Sequence, residues 1–327
     1  MEIITPEALK QYRDADQALM RDDELYCRNL VKIKAKDSGV LMRFTWNNAQ
    51  RRLHGLLEEQ KRRTGKVRAL ILKYRQGGIS TYTAARFYKR TSMQFGKKTY
   101  ILTHEDKATQ NLFGMAKRIH ENMAADYRPI DTAKNANSLV FGELDSEYAI
   151  GTAQNTTGGG RSSTIHLFHG SEVAFWAQAS THFSGVMQAV PDAAGTEVIL
   201  ESTGNGPQGE FYNQWVMAEA HKSDFIAIFL PWFIQAEYRK VPGNYEPFEP
   251  THEELEYAAM WGLDEAQIAW MHYKNIELGG RPGEIGWLFR QEYPASSQEA
   301  FQAGGDSPFI LPKYIMDARK RKFTDEE

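Results

Sequence analysis

Lys73, Arg75, Gln76, Gly77, Gly78, Ile79, Ser80 and Thr81 fall within one short stretch, LILKYRQGGIST, and their types suit the holding of phosphate. Leu70, Ile71 and Leu72 form an apolar run that ends at a Gly pair, and the residues through Phe87 are compatible with helix. The spacing therefore predicts a buried strand, a tight loop and a helix. In such a turn backbone N–H groups curl around phosphate oxygens, and the helix adds the positive end of its dipole. The match to G-x-x-x-x-G-K-[ST] is imperfect. With Gly78 as the last glycine and Ser80 as a magnesium-binding hydroxyl, Ile79 fills the usual lysine slot and Lys73 stands where the first glycine belongs. The cation must then enter from the other end of the loop. Alone, the segment fits a structural strand-to-helix connection as well as a phosphate cradle.

Other residues further along suit the same chemistry. ATP hydrolysis also needs a carboxylate to activate water, an acid or hydroxyl to hold magnesium, and cations to stabilise the γ-phosphoryl charge. Glu172 directly follows the apolar stretch TIHLFHGS, where P-loop ATPases keep the last acid of the Walker B motif; a surface Glu at a strand-to-loop junction has the same look. Ser202, Thr203, Gly204 and Asn205 come after EVILE, as a γ-phosphate sensor or an ordinary polar turn. Gln50 sits in the first turn of a helix that Asn47 can cap, and its amide donates and accepts at once, as an adenine edge requires. His166, His169 and His182 lack zinc-ligand spacing and read as structural. The basic runs Arg51-Arg52, Lys61-Arg62-Arg63, Lys89-Arg90 and Lys97-Lys98 are candidates for a phosphate-facing surface or for plain solvated faces.

The elements that must position these residues alternate. Strands are predicted at 97–103, 164–169, 197–201 and 225–230, a helix at 104–123, and a hairpin or two edge strands at 139–141 and 148–150. Strand-helix alternation implies an α/β fold, a mostly parallel sheet flanked by helices, with ligands at the carboxyl ends of the strands. Residues 1–43 read as an N-terminal helical segment, with one helix from Pro6 to about Leu30, and 44–234 as the core. Residues 235–327, with capping boxes at Thr251-x-x-Glu254 and Asp264-x-x-Gln267, read as a small helical appendage. The chain has 327 residues and a net charge of −3, so DNA contact must come from local patches rather than overall charge. Cys27 is the single cysteine, which rules out an intramolecular disulfide and fits a cytoplasmic setting; neither a secretory signal nor a membrane-spanning apolar run is present.

Gln50, then Lys73-x-Arg75-Gln76-x-Gly78-x-Ser80-Thr81, Gly160-Arg161, IHLFHGSEVAFW, ESTGNGPQGEFY and FRQEYPASSQEAFQAGG occur in the order found in the ATPase domain of the large terminase subunit of tailed bacteriophages, which the chain resembles from about Phe44 onward. The resemblance implies an additional-strand P-loop motor that uses ATP and Mg2+ to push double-stranded DNA through a portal protein into a procapsid. It implies a small terminase subunit as partner and a homo-oligomeric ring when assembled, in the host bacterial cytoplasm. Gln50 is similar to the family's adenine-contacting glutamine, Lys73 to a displaced Walker A lysine, and Arg75 to the arginine within the loop. Gln76, Gly77, Gly78 and Ile79 complete the loop around the nucleotide. Ser80 or Thr81 would hold magnesium, Glu172 would be the catalytic glutamate, and Ser202 to Asn205 would form the coupling motif. Arg161 matches an arginine that reaches a neighbouring subunit's nucleotide. Ser171 replaces the Asp common at the end of Walker B. The C-terminal nuclease of complete terminases would begin about where this sequence reaches RKRKFTDEE, so an isolated motor domain without nuclease activity is expected. A helicase-type ATPase and a nucleotide-binding module with little hydrolysis are the alternatives.

Overall fold

A computed structural model of the protein describes residues 14, 16–153, 164–241, 243, 246–281 and 284–302. Two short strands, β1 (Lys32–Lys34) and β2 (Leu41–Arg43), form an antiparallel ribbon. The remaining strands are β3 (Val67–Lys73), β4 (Lys98–Thr103), β5 (Ala133–Lys134), β6 (Ser138–Phe141), β7 (Ser146–Thr152), β8 (Leu167–Ser171), β9 (Glu197–Ser202) and β10 (Ile226–Leu230). They make one mostly parallel, eight-stranded sheet in the order β10-β3-β9-β8-β4-β7-β6-β5. β3, β8 and β9 are buried along their whole length, which is why they read as continuous apolar runs rather than alternating ones. β10 runs parallel to β3, and β4 parallel to both β7 and β8. Strands that run parallel in one sheet require a crossover, and the helix Ile79–Met93 lies in the connection between β3 and β4.

The segments at 139–141 and 148–150 do form a hairpin, β6 with β7, but β7 also pairs with β4 and so is not an edge. The stretch read as one helix up to Leu30 is interrupted at Asp22, whose extended backbone (φ −102°, ψ 111°) and side chain, accepting the Leu25 N–H, begin a new helix, Asp23–Leu30. A local cap overrides the periodic pattern there. Among the described residues no helix is long and apolar enough to cross a membrane.

The chain divides into two compact units whose boundaries cut through β3 and β9: Met1–Val67, Gly78–Ser171 and Thr181–Ile199 form one, and Arg68–Gly77, Glu172–Ser180 and Leu200–Glu327 the other. In the first, the helix Asn48–Thr64 starts at a full capping box of Asn47 and Gln50 and stops at Gly65 in a left-handed conformation. Its Leu53 and Leu57 are fully buried. The same unit holds a buried ionic network: Glu197 takes hydrogen bonds from Arg86 (2.7 and 3.1 Å), Arg90 (2.9 Å) and Lys61 (3.1 Å). In the second unit the helices His252–Trp261 and Glu265–Glu277 both begin with the expected capping boxes. Trp270 stacks on Trp232 (ring centroids 5.0 Å) and on Tyr238 (4.3 Å), and this aromatic layer fastens the helices to the segment after β10.

Candidate functional site

Lys73 ends β3, Glu172 follows β8, and Glu201 is next to last in β9. All three belong to the second unit. Three strand ends thus bring an ammonium between two carboxylates: Lys73 Nζ is 2.9 Å from Glu172 Oε1 and 3.0 Å from Glu201 Oε2. The side chains of Lys73, Glu172 and Glu201 are 6%, 28% and 0% exposed. Burial is the strongest single influence on Lys73 and pushes its pKa down, but Glu201 and Glu172 together outweigh it, so the pKa is raised and the lysine stays charged. Glu201 was not singled out by the sequence pattern. The available signal was a carboxylate closing an otherwise Val-Ile-Leu run, and its meaning depends on which strands lie beside β9.

Glu172 has φ 53° and ψ 46°, a left-handed conformation that costs a non-glycine residue about 1 kcal/mol or more and persists only where the surroundings hold it. The holding groups come from the end of β9 and the turn after it. Glu172 Oε2 lies 3.5 Å from both Ser202 Oγ and the Thr203 N–H. The Ala174 N–H donates to Ser202 Oγ at 3.2 Å, and Asn205 Nδ2 donates to the Ala174 carbonyl at 3.0 Å. Between them Gly204 leaves no room for a side chain, since a Cβ would stand 1.7 Å from the Ala300 carbonyl oxygen. Ser202, Thr203, Gly204 and Asn205 therefore bracket the turn that carries Glu172.

Arg75 is tied to the FRQEYP segment. Its N–H donates to the Glu292 carbonyl at 2.8 Å, its guanidinium donates to Glu292 Oε2 at 3.0 Å, and its own carbonyl accepts from Tyr238 Oη at 2.7 Å. Gln76, with φ 60°, is exposed at the loop tip. Gly77 is covered by the Tyr74 ring, against which a Cβ would stand at 2.9 Å.

Gly78 opens the helix Ile79–Met93 in the first unit. It has φ +74°, and a Cβ there would meet Gln50 Nε2 at 2.6 Å. Gln50 Nε2 donates to the Gly78 carbonyl at 2.8 Å while its Oε1 accepts the Asn47 N–H at 2.8 Å. The amide thus pins the loop, and one N–H and one lone pair remain to it. No side chain caps this helix N-terminus. Ile79 is 1% exposed, a core residue, which accounts for an aliphatic side chain in the slot where a lysine is usual. The Thr81 hydroxyl donates to Met115 Sδ at 3.7 Å. Arg161 lies outside the described residues.

Of the basic runs considered from sequence, Arg52 and Arg63 are exposed while others are committed within the unit. Lys89 and Arg90 are buried, Lys89 donating to Asp23 at 2.7 Å and Arg90 to Glu197; Lys61 is spent on Glu197 and Arg62 on Glu59. Apart from the local Arg62–Glu59 pair, their charges answer buried carboxylates at long sequence separation. His166 Nδ1 accepts the Lys98 N–H, and a ring nitrogen of His182 meets the Ala153 carbonyl at 2.7 Å, both structural roles. Among the described residues Asp23, His54 and Glu58 are close enough to share an ion. The Arg86 guanidinium already occupies that position, 2.6 Å from Glu58, 3.4 Å from His54 and 3.7 Å from Asp23.

No protein-family model and no curated protein matches the sequence. Among solved structures the chain is similar to the large terminase of bacteriophage HK97, with a TM-score of 0.59 and 12% identity over 91% of this chain and 58% of that one. It is also similar to the large terminase of a thermophilic bacteriophage (TM-score 0.47, 10% identity, 66% of this chain, 50% of that one). A third likeness is to the large terminase ATPase domain of Thermus phage P74-26 (TM-score 0.44, 16% identity, 71% and 88%). The first of these establishes the fold. The chain spans 58% of the HK97 protein's length.

Proposed function

We propose that this chain, whose fold is that of a phage large terminase, is the ATP-hydrolysing motor domain of such an enzyme and drives double-stranded DNA into a procapsid. The observation that supports this most is the Lys73–Glu172–Glu201 cluster at the carboxyl ends of β3, β8 and β9, which stand side by side in the sheet. It puts a charged lysine and a base within one side chain of each other, at the edge where α/β sheets bind ligands.

On this reading the ATP phosphates bind the loop from Tyr74 to Gly78 and the N–H groups of the helix that follows. Lys73 and Arg75 neutralise their charge, and the free N–H and lone pair of Gln50 meet adenine. A phosphate that draws Lys73 away from Glu172 releases that carboxylate to take the proton of the attacking water, the general-base role phosphoryl transfer requires. Ser202 to Asn205 feel the change directly, because they hold Glu172. Arg161 serves the nucleotide of a neighbouring copy. The donors assigned to magnesium, the Ser80 hydroxyl and Glu172 through water, are the hard oxygen ligands it prefers; when bound, the ion draws charge from the β- and γ-phosphoryl oxygens. The portal protein, the small terminase subunit and further copies in a ring are the proposed partners, and the bacterial host cytoplasm the proposed setting.

The deciding experiment is steady-state phosphate release from the purified chain and from Glu172→Gln, with ATP binding measured on both. The parent should hydrolyse, and the variant should bind ATP and stall. Absence of turnover in the parent, or equal turnover in the variant, overturns the proposal.

A further inference from the structure

We infer that the β1–β2 ribbon is a contact for the phosphate backbone of double-stranded nucleic acid. This rests on the motor reading above for its substrate, and on the ribbon itself for its place. Residues 32–43 hold Lys32, Lys34, Lys36 and Arg43 against the single acid Asp37, in a chain whose net charge is −3. All four cations are exposed, and none makes an ion pair among the described residues. Elsewhere in the same unit Lys61, Arg62, Lys89 and Arg90 are each paired with a carboxylate.

The register makes the charges converge. Lys32 stands opposite Arg43 and Lys34 opposite Leu41, so by strand alternation these four share one face, while Ile33 and Met42 share the other. Ile33 is half-buried where Lys32 and Lys34 are exposed, so the cationic face is the outward one. Like charges directly opposite each other destabilise a two-stranded ribbon, itself the weakest kind of sheet. Such a pairing gives no folding advantage and suits an external anion. Alternate strand residues are spaced by about 6.8 Å, close to two nucleotide steps of about 3.4 Å along the duplex axis. Leu41, 43% exposed on the cationic face, gives it an apolar group that can lie against sugars in a groove.

The test is binding of a duplex of about 30 base pairs to the full chain by fluorescence anisotropy between about 50 and 200 mM salt. The variant is Lys32→Ala/Lys34→Ala/Arg43→Ala; the control removes the same charge elsewhere, as Arg52→Ala/Arg63→Ala/Lys107→Ala. Three lost phosphate contacts should lower the slope of log Kobs against log salt by about 2.7, so that over this range the parent loses about 40-fold more affinity than the variant. The control should keep the parent slope, and ATP turnover without DNA should be equal in all three proteins. An unchanged slope in the ribbon variant, an equal fall in the control, or a parent that does not bind the duplex at about 50 mM salt overturns the inference. A parent that binds with the ribbon-dependent slope but hydrolyses no ATP overturns the motor proposal and leaves the ribbon contact standing.

Discussion

Replacing Lys73 by Ala tests the centre of the site in two ways at once. Lys73 is the cation beside Glu201, which is 0% exposed, and beside Glu172, which is 28% exposed. After Lys73→Ala, Glu172 can turn its charge toward water, but Glu201 cannot. Leaving one member of a buried pair uncompensated costs roughly 3–5 kcal/mol. At about 2 °C per kcal/mol, the low end for large domains, this lowers the melting temperature by roughly 6–10 °C. Loss of turnover in Lys73→Ala is therefore not by itself proof of a phosphate contact. The double variant Lys73→Ala/Glu201→Gln removes the stranded charge and should recover more than half of the lost stability, while ATP turnover stays absent. Thermal unfolding followed by circular dichroism, with phosphate release on the same samples, reads both effects. A single variant that melts within about 1 °C of the parent, or a double variant no more stable than the single, refutes the buried-cluster reasoning. Turnover at the original rate in either variant refutes the role given to Lys73.

The Glu197 network makes the first unit acid-sensitive. Burial raises the Glu197 pKa, but Arg86 and Arg90 pull it down further, so the folded value lies well below the ordinary 4.5. Its contribution is present above the unfolded value and lost as pH falls through the folded one, so urea midpoints should drop below about pH 4.5 in the parent and much less steeply in Glu197→Gln. For Arg161, Arg161→Ala should bind ATP yet lose roughly 10³ to 10⁵ in turnover, as for an arginine finger, and mixing it with Glu172→Gln should restore part of the activity at concentrations where copies assemble. Loss of ATP binding, or no recovery in mixtures shown to assemble, refutes action on a neighbour. A pure preparation should not nick plasmid DNA with magnesium or manganese; metal-dependent nicking would reveal a two-metal carboxylate site and refute the expectation.

The features written within a few residues were legible in the sequence. The caps at Asn47, Thr251 and Asp264, the apolar runs that become β3, β8 and β9, and the strand-loop-helix around Gly78 depend on neighbours three or four positions away, or on one stretch's own hydrophobicity. The mostly parallel α/β sheet followed from their alternation. The meaning of isolated charges was not legible, because it is set by partners far along the chain. Lys73 meets Glu172 across 99 positions, and Arg75 meets Glu292 across 217. Lys89 and Arg90 looked like a surface run until Asp23 and Glu197 closed over them. Gln50 suited an adenine edge by its chemistry, and only the folded loop assigns half of its amide's hydrogen-bonding capacity to Asn47 and Gly78. Glu201 is the extreme case: in sequence it closes a strand, and only the placing of β9 between β3 and β8 turns it into the buried counter-charge of the lysine. Local propensity and periodicity act over one turn or one pleat, while Coulomb attraction and burial act on whichever strands the sheet order makes adjacent.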